Sequence, residues 1–236
     1  VRFTPLIAGE LVDGEKIREI VAGEYARSGI RREQVDTGAV IITGETSRKE
    51  NAAAVLAELS DFAGDFVVAT AGPDLESILA ARGAGAVERS EGKRVLHMDI
   101  GGGTSNIAVF KENRPVDTGC FDIGGRLIKL DSTGKILYIS DHLGKLCAKH
   151  NINLKVGNKI EYKEIYKACV LMAQVLATTL GFKTFDMDDL AIMTTDHPLH
   201  DIEEIKYVTF SGGVGNLIYH PYEGKDDFPY NDIGVV

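Results

Sequence analysis

The chain has 236 residues, of which 44% are hydrophobic and 26% are charged, and its formal net charge is −9 at pH 7. This composition is typical of a globular protein and excludes a disordered chain, while the acidic balance argues against a nucleic-acid surface, which needs clustered lysine and arginine. The apolar runs are no longer than strands, so we predict no membrane span and no secretory leader. Three widely spaced cysteines predict reduced core thiols in a cytoplasmic protein.

The first ninety residues alternate between helical and strand patterns. The predicted elements are a helix over 15–27, a strand over 37–45, a helix over 47–62, a strand over 65–72 and a helix that begins at Pro73. Ser47 and Glu50 form a capping-box pattern at the start of the second helix. This order predicts an α/β fold with parallel strands covered by helices.

After a polar break at 90–94 the pattern changes to a meander of strands. The predicted elements are strands over 95–100, 105–112 and 113–123, a helical stripe over 165–180, a loop from 181 to about 203, and a strand over 205–210. We therefore predict two domains, residues 1–90 and residues 91–236.

A glycine-rich stretch, Asp-Ile-Gly-Gly-Gly-Thr-Ser-Asn, follows the strand pattern at residues 99–106. The chain contains no P-loop string, and a Rossmann turn would open a helix, whereas the residues after these glycines alternate as a strand. The remaining interpretations are a turn whose amides hold a phosphate beside an Asp99–Mg²⁺ contact, or a tight hairpin that Asp99 caps. The full pattern between two strands favours the phosphate site.

Two further strand ends carry paired glycines, at 121–130 and at 209–219. Each segment then continues in a pattern that we interpret as helical, which would direct free amides and the positive end of a helix at a ligand. Either one alone is typical of a packing turn. Together with residues 99–106 they predict one shared ligand.

These three segments resemble the nucleotide motifs of the actin, Hsp70 and sugar-kinase superfamily. "HMDIGGGTSN" resembles its second phosphate motif, "TFSGGVGNLIY" its adenosine motif, and "GCFDIGGRLIKLD" the connection between them. Within that superfamily, "VDTGAVIITGETSRKENA" and "ATAGPDLESILAARGAGA" look closest to the ethanolamine ammonia-lyase reactivating factors. The resemblance implies an actin-like, ribonuclease H-like fold that binds ATP and Mg²⁺ between two lobes.

The resemblance also implies a function and a set of site residues. Factors of this kind use ATP, with weak ATPase activity, to release damaged cobalamin from ethanolamine ammonia-lyase so that adenosylcobalamin replaces it. Asp99 would position Mg²⁺. The residues implied to bind nucleotide are Gly101, Gly102, Gly103, Thr104 and Ser105 at the phosphates, Gly124, Gly125 and Arg126 at the opposite wall, and Gly212, Gly213, Val214 and Gly215 at the adenosine.

Two departures from the superfamily pattern qualify this expectation. The first phosphate hairpin and the C-terminal helix of family members have no counterpart, so we expect a partial chain with weak nucleotide affinity of its own. Hsp70-like proteins carry Glu-Pro where this chain has Gly72-Pro73. Asp74 or Glu76 could replace the missing acid, although both residue types also suit a first helical turn. We expect slow hydrolysis that depends on a partner.

Other functions of the same superfamily remain open from the sequence, namely a small-molecule kinase and an actin-like filament or scaffold ATPase. The segment "DHPLHD" (196–201) offers two histidines and two aspartates as metal ligands, but a surface turn is the favoured interpretation. No D-x-H-x-x-G cobalamin string occurs. The expected location is the cytoplasm, in association with an ethanolamine-utilisation microcompartment.

Overall fold

A computed structural model of the chain describes residues 4–7, 11–42, 50–55, 59, 66–70, 72–178, 180–181, 186–195, 197–200, 205–224 and 228–236. The chain divides into two compact units, Val1–Gly72 and Pro73–Val236. Both units combine strands with helices, so the predicted α/β class is confirmed. The predicted division into lobes at residue 90 stays a prediction.

Among the described residues, the first unit shows two short pairs of strands and one long helix, together with helical residues at 52–55. Its elements are β1 (Leu6–Ile7), β2 (Leu11–Val12), α1 (Gly14–Ser28), β3 (Gly38–Ile42) and β4 (Phe66–Thr70). The first pair is antiparallel. The second pair is parallel, as the sequence predicts for the strands over 37–45 and 65–72. Asp13 caps α1 by accepting a hydrogen bond from the Lys16 amide at 3.1 Å. The capping box at Ser47 lies outside the described residues.

The second unit is larger and carries every candidate site residue. Its elements are α2 (Pro73–Gly83), β5 (Arg94–Ile100), β6 (Ser105–Lys111), β7 (Arg114–Phe121), β8 (Ile128–Leu130), β9 (Ile136–Ile139), α3 (Asp141–Lys149), α4 (Tyr162–Thr178), α5 (Met187–Met193), β10 (Ile205–Ser211) and α6 (Gly212–Tyr219). Strands β5, β6 and β7 form the predicted antiparallel meander.

The main sheet has the strand order β10-β5-β6-β7, with β10 parallel to β5. Alternate residues of its strands face opposite sides. On one side Val95, Ala108 and Phe110 pack with Ala81 of α2, and on the other Leu96, Met98 and the helices behind them build the large core. The carboxyl ends of β5 and β10 lie side by side, and this places the glycine turns that follow them together.

Two predictions made from short apolar patterns are wrong. The segment after Arg126 does not become helical; it forms strand β8, in which buried Ile128 and Leu130 flank exposed Lys129 and pair with β9. The expected loop at 181–203 contains α5, which Asp186 caps and which is too short for its helical period to stand out. Within the described parts of the chain, every helix is too short or too polar to cross a bilayer.

Candidate functional site

The turn between β5 and β6 is closed by a single backbone hydrogen bond. The Gly101 amide donates to the Thr104 carbonyl at 3.0 Å. The amides of Gly102 and Gly103 have no acceptor among the described residues, and both glycines are partly exposed. Strand β6 follows at once, so a Rossmann arrangement is excluded. The tip of the turn therefore presents two open N–H groups to an anion.

The site is assembled from three copies of the tripeptide Asp-Ile-Gly, at 99–101, 122–124 and 232–234. The three isoleucines, Ile100, Ile123 and Ile233, are all buried in the same core. Backbone hydrogen bonds then join the segments: the Gly125 amide donates to the Gly101 carbonyl at 3.1 Å, and the Ile233 amide donates to the Gly125 carbonyl at 2.9 Å. The glycines of the three copies therefore lie close together.

Close approach of main chains explains the glycines at 124 and 125. A Cβ on Gly124 would lie 2.6 Å from the carbonyl carbon of Gly102, and one on Gly125 would lie 2.7 Å from the Cα of Gly234. The Arg126 amide also donates to the Gly102 carbonyl, at 2.6 Å. The expectation of a helix with free amides at this segment is therefore wrong, because these amides are used within the fold.

The Arg126 side chain lies over the turn at residues 101–104, which we call the phosphate-type turn. A Cβ on Gly102 would be 2.8 Å from Arg126 Cδ, and Arg126 Nε is 3.5 Å from Asp232 Oδ2. Burial raises the pKa of Asp232, while the Gly234 amide and the Arg126 charge act in the opposite direction. The third Asp-Ile-Gly segment thus holds a cationic side chain at the edge of the turn.

Helix α6 begins beside Asp99, as the adenosine-type motif predicts. Gly212 has a φ of +88°, and a Cβ there would lie 2.7 Å from the Ile100 carbonyl carbon and 2.9 Å from Asp99 Oδ1. Gly213, by contrast, has no atom within 4 Å of a Cβ. Val214 contacts Gly125 and Gly234, and Gly215 is buried against β5. Gly213 is the residue of this group that leaves open space.

A series of hydrogen-bonded polar side chains runs from Asp99 into the sheet. Ser211 Oγ donates to Asp99 Oδ1 at 2.5 Å, and His97 Nε2 lies 2.9 Å from Ser211 Oγ. His97 Nδ1 lies 2.9 Å from Thr209 Oγ1, and His97 has no exposed surface. Burial lowers the pKa of His97, while the Asp99 charge acts to raise it.

Asn106 stands opposite Asp99 in the β5–β6 register, on the same side of the sheet. It is 2% exposed, and its Oδ1 has no hydrogen-bond partner within the described chain. An orphaned acceptor beside a carboxylate suits a ligand that donates hydrogen bonds, such as the water shell that Mg²⁺ retains. Thr104 and Ser105 are buried nearby, and the Ser105 hydroxyl donates to the Ile123 carbonyl at 2.8 Å.

Asp74 is anchored to β7 at the start of α2. Its Oδ1 accepts from Thr118 Oγ1 at 2.5 Å and lies 3.0 Å from His197 Nε2. Glu76 lies half-buried on the same helix. Their proposed role toward an attacking water stays a prediction.

The histidines of the 196–201 segment are used by the fold. His197 contacts Asp74, and the His200 amide donates to Asp117 Oδ2 at 2.5 Å. Over the residues that the structure describes, no cluster of three or more His, Cys, Asp or Glu side chains could hold a metal ion. Asp196 and Asp201 lie outside that description.

Sequence reasoning did not identify His97, Asn106, Ser211 or Asp232 as parts of the site. The signal for Asp232 was present, because Asp-Ile-Gly occurs three times in the chain. The other three become visible only from the strand register, which pairs Asp99 with both Ser211 and Asn106.

Comparisons with known proteins match the chain to one family and to two curated relatives. A family described as "Ethanolamine utilisation protein EutA" matches residues 1–236. Two curated relatives, each called "Ethanolamine ammonia-lyase reactivase EutA", are 34% identical in Escherichia coli (strain K12) and 33% identical in Salmonella typhimurium, in both cases over 99% of this chain. The chain spans 50% of the length of each relative.

Among solved structures, the PPX-GPPA enzyme of Aquifex aeolicus aligns with a TM-score of 0.49 and 14% identity over 95% of this chain and 62% of that one. MreB 5 of Spiroplasma citri bound to AMPPNP aligns with a TM-score of 0.47 and 16% identity over 89% of this chain and 67% of that one. The family match over the whole sequence and the two curated relatives show that the chain belongs to the EutA family of ethanolamine utilisation proteins.

Proposed function

We propose that this chain supplies a Mg²⁺–ATP site of an actin-like reactivating factor for ethanolamine ammonia-lyase. The factor uses ATP binding and slow hydrolysis to release damaged cobalamin from that enzyme, which then takes up intact adenosylcobalamin. The observation that carries the nucleotide part is the turn at Gly102 and Gly103, whose amides have no acceptor among the described residues; the turn follows Asp99 and packs against the Arg126 side chain. The enzyme partner is inferred from the relatives, whose names state that role.

The chemistry of the residues fits a hydrated Mg²⁺ and a phosphate. Asp99 has one carboxylate oxygen held by Ser211, which leaves Oδ2 as an acceptor for a metal-bound water. Asn106 Oδ1 offers a second acceptor on the same side of the sheet. The amides of Gly102 and Gly103 and the Arg126 guanidinium supply the positive groups that phosphate oxygens need. Bound Mg²⁺ would neutralise phosphate charge.

Nucleotide binding is tested first by calorimetric titration of the purified protein with ATP, with and without Mg²⁺. We expect Asp99→Asn to abolish the dependence of ATP affinity on Mg²⁺, because it removes the charge that attracts the cation. Asp188→Asn is the matched control, since the Asp188 side chain is 86% exposed on α5 and far along the chain from the turn. Unchanged Mg²⁺ dependence in Asp99→Asn would refute the assignment of the metal ligand.

The reactivating function requires a second assay. The protein is incubated with cyanocobalamin-inactivated ethanolamine ammonia-lyase, ATP, Mg²⁺ and adenosylcobalamin, and recovery of lyase activity is followed. We expect recovery with the unaltered protein and with Asp188→Asn, and none with Asp99→Asn. If the unaltered protein binds ATP but restores no activity, the nucleotide site stands and the reactivating role of this chain is wrong. We place this activity in the cytoplasm, in association with the ethanolamine microcompartment.

A further inference from the structure

Four polar side chains form one continuous row across strands β10 and β5. The parallel register pairs Thr209 with His97 and Ser211 with Asp99. Consecutive members of the row are joined by contacts of 2.9 Å from Thr209 to His97, 2.9 Å from His97 to Ser211, and 2.5 Å from Ser211 to Asp99. The row therefore connects a fully buried imidazole to the carboxylate at the end of β5.

The partners fix the direction of each hydrogen bond. A carboxylate only accepts, so the Ser211 hydroxyl must donate its single proton to Asp99. Ser211 Oγ can then only accept from its other neighbour, and His97 must donate through Nε2–H. Nδ1 of the neutral ring is left as the acceptor for the Thr209 hydroxyl. In this arrangement Ser211 Oγ donates to Asp99 and accepts from His97, while Thr209 Oγ1, which also lies 3.5 Å from the Leu96 carbonyl oxygen, donates to Nδ1.

The row limits the positions that the Asp99 carboxylate can adopt. Ser211 ends β10, and its successor Gly212 lies so close to Asp99 that a Cβ there would be 2.9 Å from Oδ1. Ser211 holds Oδ1, and His97 holds the Ser211 hydroxyl, so the direction in which Asp99 presents Oδ2 to a ligand is fixed. An apolar residue at position 97 would leave the Ser211 hydroxyl without the donor that orients it.

We propose that His97 is a positioning residue for the metal-binding carboxylate, acting through Ser211 to hold Asp99 in the orientation that accepts hydrated Mg²⁺. This inference rests on the proposed Mg²⁺ site at Asp99. It assigns His97 no contact with nucleotide or metal. Its action is the one described for outer groups that orient metal ligands, whose loss typically costs about 10- to 100-fold in metal affinity.

The test compares replacements that keep or remove the donor at Nε2. His97→Gln retains an N–H group at a similar distance from the main chain, whereas His97→Met removes it at similar size. We measure the apparent dissociation constant of Mg²⁺ at saturating ATP, and ATP affinity in EDTA. We expect about 10-fold weaker Mg²⁺ binding in His97→Met and in Ser211→Ala, with His97→Gln within about twofold of the unaltered protein. Metal-free ATP affinity is expected to be unchanged.

The double variant separates positioning from general damage to the fold. Because His97 acts through Ser211, His97→Met combined with Ser211→Ala is expected to weaken Mg²⁺ binding no more than Ser211→Ala alone. Multiplicative effects, or equal losses in His97→Gln and His97→Met, would overturn the proposal. If His97→Met does not fold, Ser211→Ala is compared alone with the unaltered protein, and unchanged Mg²⁺ binding in Ser211→Ala would overturn the proposal. If Asp99→Asn loses the dependence of ATP affinity on Mg²⁺ but Ser211→Ala binds Mg²⁺ normally, this inference is wrong and the metal site stands. If Asp99→Asn keeps that dependence, the metal site is wrong as well.

Discussion

Gly124 packs so closely on Gly102 that a Cβ at position 124 would lie 2.6 Å from the Gly102 carbonyl carbon. Real Cβ atoms do not approach main chain at this distance, so one of the two segments must move if a side chain is added. The contact joins the second Asp-Ile-Gly segment to the turn that follows the first. The geometry of the phosphate-type turn therefore depends on a residue that need not touch any ligand.

We predict that Gly124→Ala destabilises the protein by about 1–3 kcal/mol, the usual cost of forcing extra atoms into a packed site. Urea denaturation measures the change, and ATP titration reports the accompanying displacement of the turn. Gly83→Ala is the matched control, because a Cβ at Gly83 meets no atom within 4 Å and Gly83 lies outside the candidate site. A Gly124→Ala protein as stable as the control would show that the two turns are not in contact.

We predict that Asn106→Leu increases stability while it weakens Mg²⁺ binding. Asn106 Oδ1 is buried without a partner in the described chain, and a buried unsatisfied polar group costs about 1–3 kcal/mol. Replacement by an apolar residue removes that cost, so we expect a gain of about 1 kcal/mol in urea denaturation, together with a higher apparent dissociation constant for Mg²⁺ at saturating ATP. Higher stability together with weaker Mg²⁺ binding is the result that supports a ligand-binding role for Asn106.

The control for this prediction is Asn158→Leu, because Asn158 is exposed and changes at such positions usually remain within about 0.5 kcal/mol. If Asn106→Leu lowers stability and leaves Mg²⁺ binding unchanged, Asn106 has a protein partner and no part in the site.

We predict a pH-dependent effect of Asp232→Asn. Burial raises the pKa of Asp232 above its usual value of 3.8, so the folded state binds this proton more tightly than the unfolded state. The contribution of Asp232 to stability therefore falls as the pH rises from 3.8 through the folded-state pKa. Asparagine does not titrate, so the stability of Asp232→Asn relative to the unaltered protein is expected to increase over that interval.

Urea denaturation of both proteins between pH 3.5 and pH 7 measures this difference. The matched control is Asp188→Asn, since the Asp188 side chain is 86% exposed. A difference for Asp232→Asn that moves in the opposite direction would mean that Arg126, not burial, dominates the environment of Asp232.

We predict that Lys149→Met lowers the melting temperature of the protein, because it removes a cation that contacts the buried carboxylate of Asp189. Asp189 is fully buried, and its two carboxylate oxygens lie 2.8 Å from Lys149 Nζ and 2.8 Å from His150 Nε2. His150 remains in contact with Asp189 in the variant and limits the loss. Thermal denaturation measures it.

Lys145→Met on the same helix is the control, since Lys145 is exposed. A Lys149→Met protein with the melting temperature of the control would show that His150 alone satisfies Asp189.

The regular elements could be predicted where their periodicity is long, as in α1, α4 and the meander of β5, β6 and β7. The glycine turn at 101–104 could be predicted because three adjacent glycines after a strand have few structural explanations. Strand β8 was not predicted, since three residues are too few to distinguish a strand from a helix. The prediction failed there because pairing with β9, a tertiary contact, decides the conformation.

The polar surroundings of Asp99 could not be predicted for a different reason. Ser211 and Asn106 reach Asp99 through a parallel and an antiparallel register, and neither register is contained in the local pattern of either strand. His97 looks like an ordinary member of an apolar strand until Thr209 and Ser211 are placed on both sides of it. Residues that act through neighbours in space are therefore the part of the site that sequence reasoning misses.

The three Asp-Ile-Gly segments have a consequence for the order of folding. The first and third lie near opposite ends of the second unit, and contacts between residues so far apart in sequence form slowly because a long loop must close first. During synthesis, the turn at 101–104 leaves the ribosome long before Gly234 is available to pack against Gly125. The turn has its full set of main-chain neighbours only when the third Asp-Ile-Gly segment packs against Gly125, so nucleotide binding would distinguish molecules in which this segment has docked from those in which it has not.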